Sequence, residues 1–178
     1  MIKITDGFVK KVAEFEGLRT LAYKCPGGVW TIGYGHTEGV KPGQRCTRRQ
    51  AEAWLREDLA VAAGEVEALG LDLAQGQAEA LVDFVFNLGI GALEGSTLLK
   101  KIRAGADAAE IQSEFRRWVY AGGEVQKGLV RRREWEAAGW AGSPGGPGGQ
   151  LRRDESPAGA GDQLRRDESR LYRGDIKI

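Results

Sequence analysis

The sequence predicts an α+β protein of two lobes: a small N-terminal lobe bearing a β-hairpin, and a mainly helical C-terminal lobe, joined by one long helix. Three observations predict it. In Val29–Tyr34, Trp30, Ile32 and Tyr34 alternate with Val29, Thr31 and Gly33, which is the period of a strand. Thr47 and Gln50 make a capping box ahead of an apolar stripe at Leu55, Leu59, Ala62, Val66 and Leu69. Downstream, Gly89 and Gly105 close successive helical stretches.

The elements follow in order. Thr5 caps a first helix with Phe8, Val12 and Phe15 on one stripe, ending at Glu16 directly before Gly17. Leu21–Lys24 is a short strand, Pro26-Gly27-Gly28 a turn, and Val29–Tyr34 the returning strand. After Pro42-Gly43 the long helix runs from Thr47 to Leu69. Further helices are expected at about 75–88, 96–103, 107–121 and 126–139. A cleft is expected between the lobes.

Composition changes after residue 141. Residues 142–178 hold 8 Gly and 3 Pro with few large apolar side chains, too little surface to offset the entropy of ordering. This predicts a flexible Gly/Pro/Arg-rich tail beyond a compact catalytic domain at 1–141, with a helical stretch around Gln163–Tyr172. The segment Gln150 to Ser156 recurs verbatim as Gln163 to Ser169. Arg173-Gly174-Asp175 is read as a chance match in a segment rich in those residues.

Global properties exclude several function classes. The chain has 178 residues, with 26 Lys+Arg against 25 Asp+Glu, a net charge of +1. That balance speaks against a nucleic-acid partner. Two cysteines cannot build a disulfide framework, and with one histidine they do not suggest a zinc site, so no metal or cofactor is expected. No run reaches a membrane span, and the N-terminus lacks the apolar core of a signal peptide. A monomer made in a cytoplasm is expected, without stable membrane insertion.

Reactive groups concentrate between Glu16 and His36. A carboxylate at a helix C-terminus faces the negative end of the dipole, and burial would further disfavour its charge. Those conditions suit a general acid; a solvated glutamate in a last turn is the alternative. Cys25 and Thr31 sit across the hairpin turn on the same side, where a thiol and a hydroxyl can hold a water; a small half-buried Cys and an ordinary strand Thr is the other reading. His36 reads as a buried histidine bonding backbone or a carboxylate rather than a base. A Cys25–His36 nucleophile pair lacks an evident orienting group. Arg131-Arg132-Arg133 reads as a surface triplet with part facing an internal carboxylate rather than as a phosphate site.

Glu16-Gly17-Leu18-Arg19, Ala22-Tyr23-Lys24 and Trp30-Thr31-Ile32-Gly33-Tyr34-Gly35-His36 closely resemble the active-site segment of phage-type lysozymes, glycoside hydrolase family 24. That family's pattern is Glu, eight residues, Asp or Cys, five residues, Thr; here it falls on Glu16, Cys25 and Thr31. Asp83–Gly89 is similar to the family's cleft-lining helix end, and Phe115–Tyr120 with Leu129–Arg133 to its C-terminal helices. The resemblance covers roughly residues 1–141 and implies the lysozyme fold.

It also implies hydrolysis of the β-1,4 bond between N-acetylmuramic acid and N-acetylglucosamine in bacterial peptidoglycan. Glu16 would protonate the leaving oxygen, Cys25 and Thr31 would handle the water or the developing charge, and Phe86 and Asn87 would touch the glycan. His36 would hold the Glu16 loop. A thiol in place of Asp removes a ready carboxylate base or nucleophile, leaving a water orienter, a thiolate or a covalent nucleophile. Pairing of Cys25 with Cys46 would block the site. A lytic transglycosylase needs only one carboxylate and is the second reading; a silent wall-binding protein is the third. The enzyme would accumulate in a host cytoplasm and reach the wall once the membrane is permeabilised.

Overall fold

The computed structural model describes residues 1–25 and 27–141. The predicted tail, its helical stretch, its repeat and its Arg-Gly-Asp lie outside the described residues. Seven helices and two small hairpins follow one another as α1 (Asp6–Glu16), β1 (Arg19–Lys24), β2 (Trp30–Gly33), α2 (Arg48–Ala68), α3 (Gln75–Leu88), α4 (Ile90–Glu94), α5 (Thr97–Arg103), α6 (Ala108–Arg116), β3 (Tyr120–Ala121), β4 (Glu124–Val125) and α7 (Lys127–Ala141) among the described residues. The class is α+β.

The Thr5 side chain caps α1 by accepting from the Phe8 N–H at 3.1 Å. Phe8 and Val12 are buried, and Phe8 stacks on Trp135 of α7 at 5.9 Å. Antiparallel β1 and β2 pair Tyr23 with Thr31 and Lys24 with Trp30. The capping box at Thr47 is formed in both directions, Gln50 N–H to Thr47 Oγ1 at 3.2 Å and Thr47 N–H to Gln50 Oε1 at 2.8 Å. From it α2 carries Leu55, Leu59 and Val66 into the core, packing against the hairpin at one end and against α3 along its length. Buried Leu81 and Phe84 of α3, Leu98 of α5 and Phe115 of α6 complete the helical lobe.

Two expectations are corrected. The helix expected over 107–121 stops at Arg116, and Tyr120–Ala121 instead pairs with Glu124–Val125. Gly122 and Gly123, at φ 61° and 83°, fold the chain back where a helix cannot continue. A five-residue helix, α4, lies between Gly89 and Gly95, too short to show a helical period. The glycines after α1 and α3 end their helices in the same way. Gly17 (φ 70°, ψ 148°) and Gly89 (φ 83°, ψ 156°) combine positive φ with extended ψ, so the chain leaves each helix abruptly.

Candidate active site

Glu16 is the last residue of α1, and the Gly17 N–H closes the helix on the Ala13 carbonyl at 3.1 Å. Its position follows from the Phe8–Val12–Phe15 stripe, which seats α1 on the helical lobe and turns its C-terminus toward the hairpin. Arg132 of α7 reaches it from the other side: Arg132 Nη1 donates to Glu16 Oε1 at 2.7 Å. The same guanidinium holds Asp83 of α3 with two further bonds, Nε to Oδ2 at 2.8 Å and Nη2 to Oδ1 at 2.7 Å. Its flat faces lie against Phe15 and Phe86, 5.4 and 5.7 Å from the ring centres. The ion pairs are removed from water, with side-chain exposures of 6% for Glu16, 5% for Arg132 and 0% for Asp83.

Glu16 is thus a buried carboxyl at a helix C-terminus, and it shares its counter-charge, Arg132, with Asp83. Arg132 itself is held charged, its pKa raised by Asp83 and Glu16 against the pull of burial. Burial opposes the ionisation of Asp83, yet Arg132 overrides it and keeps that carboxyl below the usual carboxylate range.

The other two residues of the spacing pattern belong to the hairpin. Cys25 follows β1, its N–H bonded to the Val29 carbonyl at 2.9 Å, and the Gly28 N–H returns to the Cys25 carbonyl at 2.8 Å. Thr31 is buried in β2 and donates its hydroxyl to the Val29 carbonyl at 3.2 Å. That donation commits its single proton and leaves lone pairs to accept from a water. Tyr23, opposite Thr31, senses both neighbours. Burial raises its pKa first, Arg19 opposes this, and the fields of Glu16 and then Cys25 add to the rise.

His36 is buried, bonds the Asp58 carboxylate through Nδ1 at 3.1 Å and stacks on Trp54 at 5.0 Å. Both partners belong to α2, so His36 ties the strand–helix connection to the long helix. Phe86 and Asn87 face inward, at 7% and 2% exposure. Phe86 lies under Arg132, and the Asn87 side-chain oxygen accepts from Arg133 Nη2 at 2.9 Å. Little surface of either is left for the glycan contact that the resemblance implies. Cys25 and Cys46 are both free thiols. Cys46 is buried beside the Arg19 carbonyl, and burial pushes its thiol up.

The arginine triplet is mostly interior. Arg131 is exposed, but Arg132 and Arg133 are buried and taken up by carboxylates and Asn87, so the surface reading holds for one residue of the three. The residues that sequence reasoning missed are Asp83, quoted only within a matching segment, and Glu136. Their available signal was an acid within an apolar run, Asp83 between Val82 and Phe84, and an acid three residues after Arg133.

The site thus joins a buried acid at a helix end, clamped by an arginine, to the hairpin that follows it in the chain and carries Cys25 and Thr31. Comparison with known proteins gives the family. Residues 13–136 match the model described as phage lysozyme. The endolysin of Acyrthosiphon pisum secondary endosymbiont phage 1 is 40% identical over 132 residues, 71% of this chain and 90% of that one. The endolysin of Bacillus phage B103 is 41% identical over 139 residues, 76% of this chain but 52% of that longer protein. Among solved structures, the muramidase domain of SpmX from Asticaccaulis excentricus superposes with a TM-score of 0.73 at 36% identity, covering 79% of this chain and 98% of that one. The chain belongs to the phage lysozyme family. Its enzymatic class is muramidase, a glycoside hydrolase that breaks down peptidoglycan.

Proposed function

We propose that residues 1–141 form a catalytic domain that hydrolyses the β-1,4 bond between N-acetylmuramic acid and N-acetylglucosamine. The observation that carries this reading is Glu16, a carboxyl withdrawn from water at the end of α1 and clamped on one oxygen by Arg132. Protonated Glu16 delivers its proton to the glycosidic oxygen as the bond breaks. Positive charge then develops on the muramic acid ring. Thr31, its proton committed to Val29, accepts from the attacking water and aims it. Cys25 flanks that water as a second orienting group. Phe86 and Asn87 support the glycan wall of the cleft chiefly by holding Arg132 and Arg133, and His36 fixes the hairpin on α2.

Peptidoglycan is the partner, and the working unit is a monomer that needs no metal or cofactor. Among the described residues no helix is long and apolar enough to cross a membrane. The enzyme accumulates in a host cytoplasm and meets the wall after the membrane is opened. One observation favours a second reading. Position 25 carries a thiol, so Glu16 is the only carboxyl of the three-residue pattern, as a lytic transglycosylase requires.

Mass spectrometry of purified peptidoglycan digested by the protein, with Glu16→Gln in parallel, separates these. Reducing-end muropeptides from the wild type and none from Glu16→Gln are expected. Anhydro-muramic ends would establish the transglycosylase. Binding without products under reducing conditions would leave a silent wall-binding protein.

A further inference from the structure

Behind Glu16 lies a cluster that the reaction does not use directly. Arg133 of α7 is fully buried, over the Phe84 ring at 5.0 Å, and its Nη2 lies 2.8 Å from Glu136 Oε1. Glu136 is fully buried too, one turn further along α7. As a carboxylate it meets no aligned donor at either oxygen. Burial, with the negative Asp83 beside it, favours its protonated form over the opposing charge of Arg133. A path then runs from Glu16 through Arg132 to Asp83 and, by way of the adjoining Arg133, to Glu136 and Asn87.

Charge counting gives this path a consequence. It holds two guanidiniums, Arg132 and Arg133, and three carboxyls, Glu16, Asp83 and Glu136. A buried cluster of that make-up is neutral with one proton. Arg132 pins Asp83 as the carboxylate, so the proton resides on Glu16 or on Glu136. We propose that Glu136 is a positioning residue for the general acid: Glu16 and Glu136 hold one proton in common, and Glu136 sets the pH at which Glu16 loses it. This rests on the reading of Glu16 as the acid.

The groups facing Glu136 agree with that assignment. From α3 comes Asp83, and from α7 itself Arg133 and Arg132. From α1, Glu16 reaches the cluster through Arg132. The charged pair that α6 brings to α7, Arg116 with Glu134, is about half exposed and faces solvent. Burial, opposed by Arg133 and reinforced by the negative Asp83, pushes the Glu136 carboxyl well above the ordinary range. While Glu136 keeps its proton, it occupies Asp83 and leaves Arg132 free to hold Glu16 as the carboxylate. When Glu136 ionises, Asp83 draws Arg132 inward and negative charge accumulates behind Glu16. Both effects keep the proton on Glu16 to higher pH than Glu16 would hold it alone.

The test is the pH dependence of kcat/KM on purified peptidoglycan for full-length wild type, Glu136→Gln and Glu134→Gln. Two sites coupled this way separate by about one pH unit or more. Glu136→Gln removes the second proton site, so its alkaline limb should move to lower pH by about that amount. Glu134→Gln, at the exposed pair, should superpose on wild type. A Glu136→Gln limb that also superposes on wild type overturns the proposal.

A second measurement needs neither activity nor that variant. In full-length wild type with 13C-labelled glutamate carboxyls, one resonance should stay protonated above pH 6 and titrate together with the Glu16 resonance, identified by its absence in Glu16→Gln. All glutamates fully ionised by pH 6 would overturn it. A protein that digests no peptidoglycan yet shows the shared titration would fail only the muramidase reading.

Discussion

Arg132 joins more of the site than any other side chain. Its guanidinium bridges Glu16 and Asp83 and is packed between Phe15 and Phe86. Removing one member of a buried ion network strands the remaining charges at a cost of about 3–5 kcal/mol. Arg132→Met should therefore lower the free energy of urea unfolding by that amount. Arg116→Met, at an exposed pair with Glu134, should cost under about 1 kcal/mol. Gly17 is the second sensitive residue. At φ 70° and ψ 148° it occupies a region essentially reserved for glycine, with open space where a Cβ would stand. The cost of Gly17→Ala is thus backbone strain, about 1–3 kcal/mol, and the relaxed chain should displace Glu16. A lower melting temperature with a larger fall in kcat than in KM would register both. Glu16 and Gly17 were legible in the sequence because a helix stripe, its last residue and its glycine are local. The clamp on Glu16 was not, because Arg132 is 116 residues away and its partner depends on how α7 lies.

At the level of elements, the contact of α3 with α7 sets the site. Gly76 and Gly139 face each other so closely that a Cβ on Gly139 would stand 2.9 Å from the Gly76 carbonyl oxygen, and one on Gly76 3.0 Å from that of Gly139. Both obstacles are backbone, so one helix would have to move. Gly139→Ala is expected to destabilise by about 1–3 kcal/mol in thermal or urea unfolding, whereas Gly64→Ala, in open space on α2, should not. A shift of α7 would also carry Arg132 away from Glu16, so lost activity should accompany lost stability. Helices with a cap and a long stripe, α1 and α2, were visible from periodicity. The β3–β4 hairpin was not: its strands have two residues each, and the helical pattern of α6 runs into them without a break.

For the whole molecule, the buried carboxyls fix a pH response. Asp83 is held below its ordinary value, so its stabilising contribution is present above the unfolded value of about 3.9 and is lost as pH falls through the folded one. Glu136 is held above its ordinary value, so its contribution is present below about 4.3 and is lost as pH rises toward the folded one. Melting curves from pH 2 to 8 should therefore show wild type losing stability on both sides of about pH 4 through this cluster. Asp83→Asn should lack the acid part of that loss and Glu136→Gln the alkaline part. The described core lies within residues 1–141, and the composition of 142–178 offers it little apolar surface. A chain ending at Ala141 is expected to melt within a few degrees of full length and to retain most activity. A much lower melting temperature would show that the remaining residues contribute to the fold.

By itself the sequence determined the fold class, the hairpin, the capped long helix and the Glu16–Cys25–Thr31 spacing. Each depends on residues within a few turns or strands of one another, where period, cap and turn chemistry act directly. The tertiary structure alone decided the environment of Glu16: the arginine clamp, the inward turn of Phe86 and Asn87, and the carboxyls behind them. Those depend on the angle and distance at which α3 and α7 pack. A charge's partner, and with it its protonation, follows from that packing and not from its neighbours along the chain.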